Sequence, residues 1–442
     1  MSKPQSYLLK GGTLVTMDSQ RKVLHGDLRI SDNFITHIGP NLEQQSEDNV
    51  ISVQDHFVIP GLIQVHTHLC QILFRGMADD LALLDWLQKK IWPLESSHNQ
   101  SSMEASARLG LMEMQMLGTT SILDMASTRE TDAIFAAVED SGMRYWGGNC
   151  LADLKSTSGP LYMDTQSSIQ ESERLIKTWH QKKPLIEYAL CPRFAVSCTE
   201  EILHASVAMQ SEHNILIHTH ASENKDELEL IRKRTGHSNV DFLYSLGLLS
   251  PNSVIVHGVH LTEGEIHKIA KTNTKLAHCP SSNLKLASGI APITHYHKAG
   301  ITIGLGADGA PCNNTMDPFF EMRLAALIQK PKFGPKSIPA QKAFEMATLG
   351  GAQVLGRKQD LGSLEKGKLA DVVVVRRDHP SVSTVEDPYS ALVYSCSGRD
   401  VRHVFIHGRQ VVQDSKPINF DYNQVIAQAK QELKSLIQRA NV

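Results

Sequence analysis

The alternation of apolar and polar positions changes period twice along the chain. Over residues 1–57 the apolar positions come in short strand-like runs, at 8–17, 27–30 and 34–38. The breaks between them fall at Gly11-Gly12, Ser31-Asp32-Asn33 and Gly39-Pro40, which predict tight turns. From residue 58 onward, buried-type apolar runs alternate with stretches of helical period. Strands are predicted near residues 62, 120, 145, 186, 216, 254, 276 and 302. Helices are predicted at 80–91, 103–117, 130–141, 167–181, 199–212, 225–234, 263–271, 293–299 and 316–328. Eight strands, each followed by helix, predict an α/β fold, a (β/α)8 TIM barrel over residues 58–357.

A further helix is expected at 341–356, after which β character returns at 362–370, 371–375, 401–406 and 410–412. Residues 1–57 and 358–442 are therefore expected to form one composite β-sandwich beside the barrel, with a terminal helix at 423–439. Residues 155–164, rich in Ser, Thr, Gly and Pro, read as a loop insertion.

Several barrel strands end in side chains able to hold a metal. In Val58-Ile59-Pro60-Gly61-Leu62-Ile63-Gln64-Val65-His66-Thr67-His68, strand alternation sends His66 and His68 to the same face. With 21 His in 442 residues, chance yields about one His-x-His pair, so the pair counts only with its context at a strand end. His295 and His297 lack that context, lying in a polar helix. His218-Thr219-His220-Ala221-Ser222-Glu223 closes another strand. There His220 and Glu223 straddle the turn, so one can meet a metal while the other faces substrate, and His218 sits one layer deeper as a hydrogen-bonded core histidine. His257 ends the apolar run Val254–Val256, and Asp308 ends the last strand in a glycine-rich turn. Three imidazoles and a carboxylate suit Zn²⁺, which lowers the pKa of a water to about 7.

Composition narrows the setting. The net charge of −3, without a long basic run, gives no footprint for nucleic acid or an anionic membrane. No apolar run is long enough to span a bilayer. Seven cysteines without a Cys-x-x-Cys pair read as reduced thiols in a cytoplasmic protein.

Over nearly its whole length the chain resembles the amidohydrolase superfamily. The resemblance points to the branch holding S-adenosylhomocysteine, methylthioadenosine and 5′-deoxyadenosine deaminases, guanine deaminases and triazine hydrolases. It is carried by Pro60-Gly61-Leu62, by Leu73-Phe74-Arg75-Gly76-Met77-Ala78-Asp79-Asp80, by the stretch from His278-Cys279-Pro280-Ser281-Ser282-Asn283 to Gly289, and by Asp308-Gly309-Ala310-Pro311-Cys312-Asn313-Asn314. The resemblance implies one Zn²⁺ per subunit (Fe²⁺ in some relatives), held by His66, His68, His220 and Asp308. Residues 185–191 contain no lysine of the kind that bridges two metals in the superfamily. It implies Glu223 as proton shuttle, His257 as the residue orienting the attacking water, and Asp308 as acceptor of that water's proton.

The same resemblance places Trp86 and Glu95 at the substrate pocket, with Glu95 accepting ribose hydroxyls. Pro192-Arg193-Phe194 is similar to guanine deaminases, whose arginine there grips the purine, and Asn149 stands where some nucleoside enzymes carry an arginine. The expected activity is hydrolytic deamination of an adenosine-type nucleoside (5′-deoxyadenosine, methylthioadenosine or S-adenosylhomocysteine), releasing ammonia. Guanine deamination and triazine-type chlorohydrolysis or aminohydrolysis are the alternatives. The expected partner is a small purine or related heterocycle, and the resemblance also allows a homo-oligomer.

Overall fold

The structure, a computed structural model, describes residues 6–441. Its barrel strands are Leu62–Thr67, Thr119–Met125, Arg144–Gly148, Ile186–Pro192, Leu216–Ala221, Ser253–His257, Lys275–His278 and Ile303–Leu305. All pair in parallel in that order, and Leu305 pairs back with Gln64, so the cylinder is closed and the predicted (β/α)8 barrel is present. Helix starts follow local capping chemistry. The helix Gln100–Met116 begins three residues before its predicted start, because Asn99 and Ser102 form a reciprocal capping box. The strand predicted near residue 302 is only Ile303–Leu305. A Cβ on Gly306 would lie 2.7 Å from the His66 carbonyl oxygen, so that residue is where the last strand's backbone presses onto the first. The strand predicted near residue 254 stops at His257, whose φ of 70° turns the chain sharply.

The apolar run 58–68 reads as a single strand in sequence but belongs to two sheets. His56–Pro60 pairs with the terminal strand Val372–Arg376, and Leu62–Thr67 opens the barrel. Gly61 is the joint. Its N–H donates to the Asp371 carbonyl, and a Cβ there would sit 2.1 Å from Thr120 Oγ1.

The terminal segments interleave in one sheet. Its strand order is Lys416–Pro417, Arg409–Gln413, Val401–Ile406, Val372–Arg376, His56–Pro60, Ser6–Val15, Val23–Ser31 and Phe34–Gly39, with Asp48–Ser52 also on Ser6–Val15. The sheet curls over its own core. Tyr7 and Phe405 stand three strands apart in that order, a span of about 14 Å in a flat sheet, yet their rings are 5.0 Å apart. The expected strand at 362–370 is instead a run of turns, which donates from Gly367 to Ile35 and accepts at Lys368 from Ile35, covering the sheet's edge. Residues 155–164, expected as loop, contain the short helical turns Lys155–Ser158 and Gly159–Leu161.

Sheet and barrel are joined by a buried bidentate pair, with Arg144 Nε and Nη2 3.0 and 2.8 Å from the Asp371 carboxylate. The last helix, Tyr422–Ala440, packs Ala429 and Leu436 against Leu73, Phe74 and Leu94 on the barrel side. Among the described residues no helix is long and apolar enough to cross a membrane.

Candidate metal centre and catalytic pocket

The ligand-type side chains meet at the carboxyl ends of the barrel strands. His66 projects from the first strand and His68 follows its last residue, His220 projects from the fifth, and Asp308 follows the eighth, where its N–H donates to the His66 carbonyl at 3.1 Å. His257 and Asp308 both adopt positive φ, 70° and 64°, as does Ser222 beside Glu223 at 55°. Backbone strain of this kind costs on the order of 1–3 kcal/mol per residue and persists where the surrounding fold over-determines it.

One donor atom from each of His66, His68, His220 and Asp308 falls in a group whose members all lie within 4.8 Å of one another. His66 Nε2 and His68 Nε2 are 3.1 and 3.3 Å from Asp308 Oδ1. Atoms bound at about 2.0–2.1 Å around one tetrahedral ion sit about 3.3–3.4 Å apart. His66 Nε2 is also buried without a hydrogen-bond partner, a polar atom left over unless something else meets it. The four side chains therefore fit a single divalent cation.

The outer nitrogens are held in the matching tautomer. His68 Nδ1 donates to the Met125 carbonyl at 2.9 Å and His220 Nδ1 to the Arg193 carbonyl at 2.6 Å, which leaves each Nε2 lone pair facing inward. Burial lowers the pKa of His66 to about 4 and that of His220 well below the usual value, so both rings are neutral near pH 7. His218 is not in the donor group. It lies one layer deeper and meets His66 Nδ1 through its own Nε2 at 2.9 Å.

Glu223 and His257 flank the cluster. His257 Nδ1 donates to Asn283 Oδ1 at 2.8 Å, and its Nε2 stands 3.5 Å from Glu223 Oε2 and 3.9 Å from Asp308 Oδ2. Burial pushes the Glu223 carboxyl up to about 7. His257 opposes that rise, while the carboxylates of Asp308 and Glu227 add to it. Ser288 Oγ donates to Glu223 Oε1 at 3.1 Å, and Ser282 Oγ to Asp308 Oδ2 at 2.6 Å.

His68, His220, Asp308, Glu223 and His257 open into a cavity whose remaining wall is Gln71, Leu83, Trp86, Leu87, Arg193, Phe194 and Leu286. Trp86 and Arg193 thus face the cavity. Glu95, expected at the pocket, lies a layer behind it. Its carboxylate accepts from Arg193 Nη1 at 3.2 and 3.4 Å and from Gln71 Nε2 at 3.3 Å, because a buried guanidinium needs its counter-charge at hand. Asn149 is also withdrawn, accepting from the hydroxyls of Tyr188 and Ser172.

Sequence reading passed over Gln71, Asp124, Ser282, Asn283 and Ser288. Asp124 accepts from Thr67 Oγ1 and the Leu69 N–H and so ties down the turn after His68. Burial raises its pKa to about 6. Ser282, Asn283 and Ser288 lie inside the 278–289 motif, but nothing local pairs them with Asp308, His257 and Glu223.

The amidohydrolase family pattern matches residues 57–411. The chain is 37% identical over 414 residues to a 5′-deoxyadenosine deaminase of Methanothermobacter thermautotrophicus, covering 93% of this chain and 94% of that one. It is 34% identical over 425 residues to a 5-methylthioadenosine/S-adenosylhomocysteine deaminase of Bacillus cytotoxicus, covering 95% and 96%. Among solved structures it is similar to an adenosine deaminase from Xanthomonas campestris with bound zinc. The TM-score is 0.93 at 28% identity, covering 98% of this chain and 99% of that one.

Proposed function

The chain belongs to the amidohydrolase family, and from that premise we propose that it is a zinc-dependent aminohydrolase releasing ammonia from a 5′-modified adenosine of small size. The observation that carries the reading is a four-donor cluster that opens through His68, His220 and Asp308 into the same cavity as a buried carboxyl poised near neutral pH. The names of the relatives support the substrate class. Residues 58–357 would form the catalytic unit, with 1–57 and 358–442 as its companion. Seven cysteines, all free and buried, suit a reducing, cytoplasmic setting.

In this reading His66, His68, His220 and Asp308 hold one Zn²⁺, with Fe²⁺ the competing ion. The cation supplies Lewis acidity and lowers the pKa of a water to about 7. Asp308 takes a proton from the attacking water while Ser282 steadies its second oxygen. His257, with its Nδ1 proton committed to Asn283, turns a bare Nε2 towards the space between Glu223 and Asp308 and orients the water there. Glu223, whose carboxyl is pushed up to about 7 so that a large share still holds its proton near neutrality, delivers that proton to the ring nitrogen beside the amine-bearing carbon, which makes that carbon electrophilic. The water oxygen bonds to that carbon, and the proton held by Asp308 passes to the exocyclic amine. The C–N bond breaks and ammonia departs; the remaining hydroxyl proton returns to Glu223 as the ring carbonyl forms. Trp86 offers a ring face to the base.

Arg193 at the cavity wall favours guanine as the second reading. The deciding experiment incubates purified, zinc-replete protein with 5′-deoxyadenosine, methylthioadenosine, adenosine, guanine and a chlorotriazine, following ultraviolet spectra, ammonia and chloride. Ammonia from 5′-deoxyadenosine or methylthioadenosine is the expected result. Turnover of guanine alone, or chloride from the triazine alone, overturns the substrate choice.

A further inference from the structure

Three rings are placed to offer Nε2 to a cation, and only one of them depends on a side chain for its tautomer. His68 and His220 donate Nδ1–H to backbone carbonyls, which can only accept. His66 Nδ1 instead faces His218 Nε2 at 2.9 Å, a contact that runs in either direction. One proton lies between the two nitrogens. If His66 donates, its Nε2 is bare and can bind a cation. If His218 donates, a neutral His66 must carry its proton on Nε2, 3.1 Å from Asp308 Oδ1, and that position is blocked.

The rest of His218 gives no other reason for a histidine there. The residue is fully buried and its Nδ1 has no partner. Its hydrogen-bonding capacity is spent on His66 alone. An apolar residue in its place would remove that unpartnered nitrogen but would strand the His66 Nδ1–H.

We propose that His218 is a positioning residue that accepts the Nδ1–H of His66 and thereby holds His66 Nε2 open as a ligand. This rests on the metal-dependent reading above. His218 itself then keeps its proton on Nδ1, so the pair forms a relay of fixed direction from His66 to His218. Because the acceptor is a side chain, a single substitution can remove it, which is impossible at His68 and His220.

The test compares wild type, His218→Gln and His218→Leu, measuring zinc content and zinc affinity by chelator competition, with circular dichroism as the check on folding. Gln presents Oε1 at about the depth of Nε2 and can accept, whereas Leu cannot. Loss of such an outer-shell partner costs about 10–100-fold in metal affinity. The expected pattern is near-native affinity for H218Q and a loss of that size for H218L. Native affinity in folded H218L, or an equal loss in both variants, overturns the proposal. Should H218L not fold, long-range ¹H–¹⁵N spectra of histidine-labelled, zinc-loaded wild type decide the matter. A proton on His218 Nδ1 supports the proposal and one on Nε2 overturns it. A wild type that binds no zinc at all defeats the metal-dependent reading instead, so the two failures are distinct.

Discussion

Replacing Glu223 by glutamine removes one titrating proton and almost no volume, so it isolates the acid role. Glu223 is not among the four donors, and zinc content should stay at wild-type level. A positioned general acid is typically worth about 10²–10⁴-fold, or about 2.7–5.4 kcal/mol of barrier at 1.36 kcal/mol per decade. With the carboxyl pushed up to about 7, the proton-bearing form dominates below neutrality and falls about tenfold for each pH unit above it. Wild-type turnover should therefore decline through pH 7–8.5, and the residual activity of E223Q should lack that limb.

A second consequence concerns stability. Between the ordinary value of 4.5 and about 7 the folded chain holds a proton that the unfolded chain has released, so wild-type stability falls as pH rises through that window. In chelated protein the loss is on the order of 3 kcal/mol, at 1.36 kcal/mol per unit, and E223Q escapes it. Steady-state ammonia release from pH 6 to 9 and urea melts at pH 4.5 and 8 test both halves. Zinc-replete E223Q within tenfold of wild-type turnover, or a wild-type profile flat across pH 6–8.5, would refute the acid role.

Chelation should abolish activity, and about one equivalent of zinc per chain should restore it; activity surviving verified metal removal would contradict the cation's role. Arg193→Met strands the Glu95 carboxylate in the interior and should cost about 3–5 kcal/mol in denaturant unfolding as well as raising KM. Adding Glu95→Met should recover stability but not substrate binding, and a KM restored along with stability would show Arg193 to be structural only. Arg144→Met breaks the buried pair with Asp371 between barrel and sheet and should also cost about 3–5 kcal/mol, with kcat unchanged in whatever protein remains folded. Gly61→Ala drives a methyl into Thr120 Oγ1 and should destabilise by about 1–3 kcal/mol. A compensating Thr120→Ala should return most of that loss, and thermal melts of the three proteins read the outcome.

The local order of residues was enough to specify the alternation of strand and helix and the ligand-type side chains that close the strands. Those properties depend on neighbours a few positions away: period 2 in a strand aligns His66 with His68, and an apolar run ending in His257 or Asp308 marks a buried strand's exit. Closure of the cylinder was not local. It depends on Gly306 letting the last strand meet the first, and it alone carries Asp308 to His66 across 242 positions of chain. The same distance explains Glu95, whose candidacy for the pocket failed to anticipate Arg193, 98 positions on, as its partner. It explains Ser282, Asn283 and Ser288 as well, since their side chains meet Asp308, His257 and Glu223, each at least 26 positions away. A side chain's chemistry is set by its own type, but the tautomer, charge and direction in which it is used are set by what the fold brings within 3 Å of it.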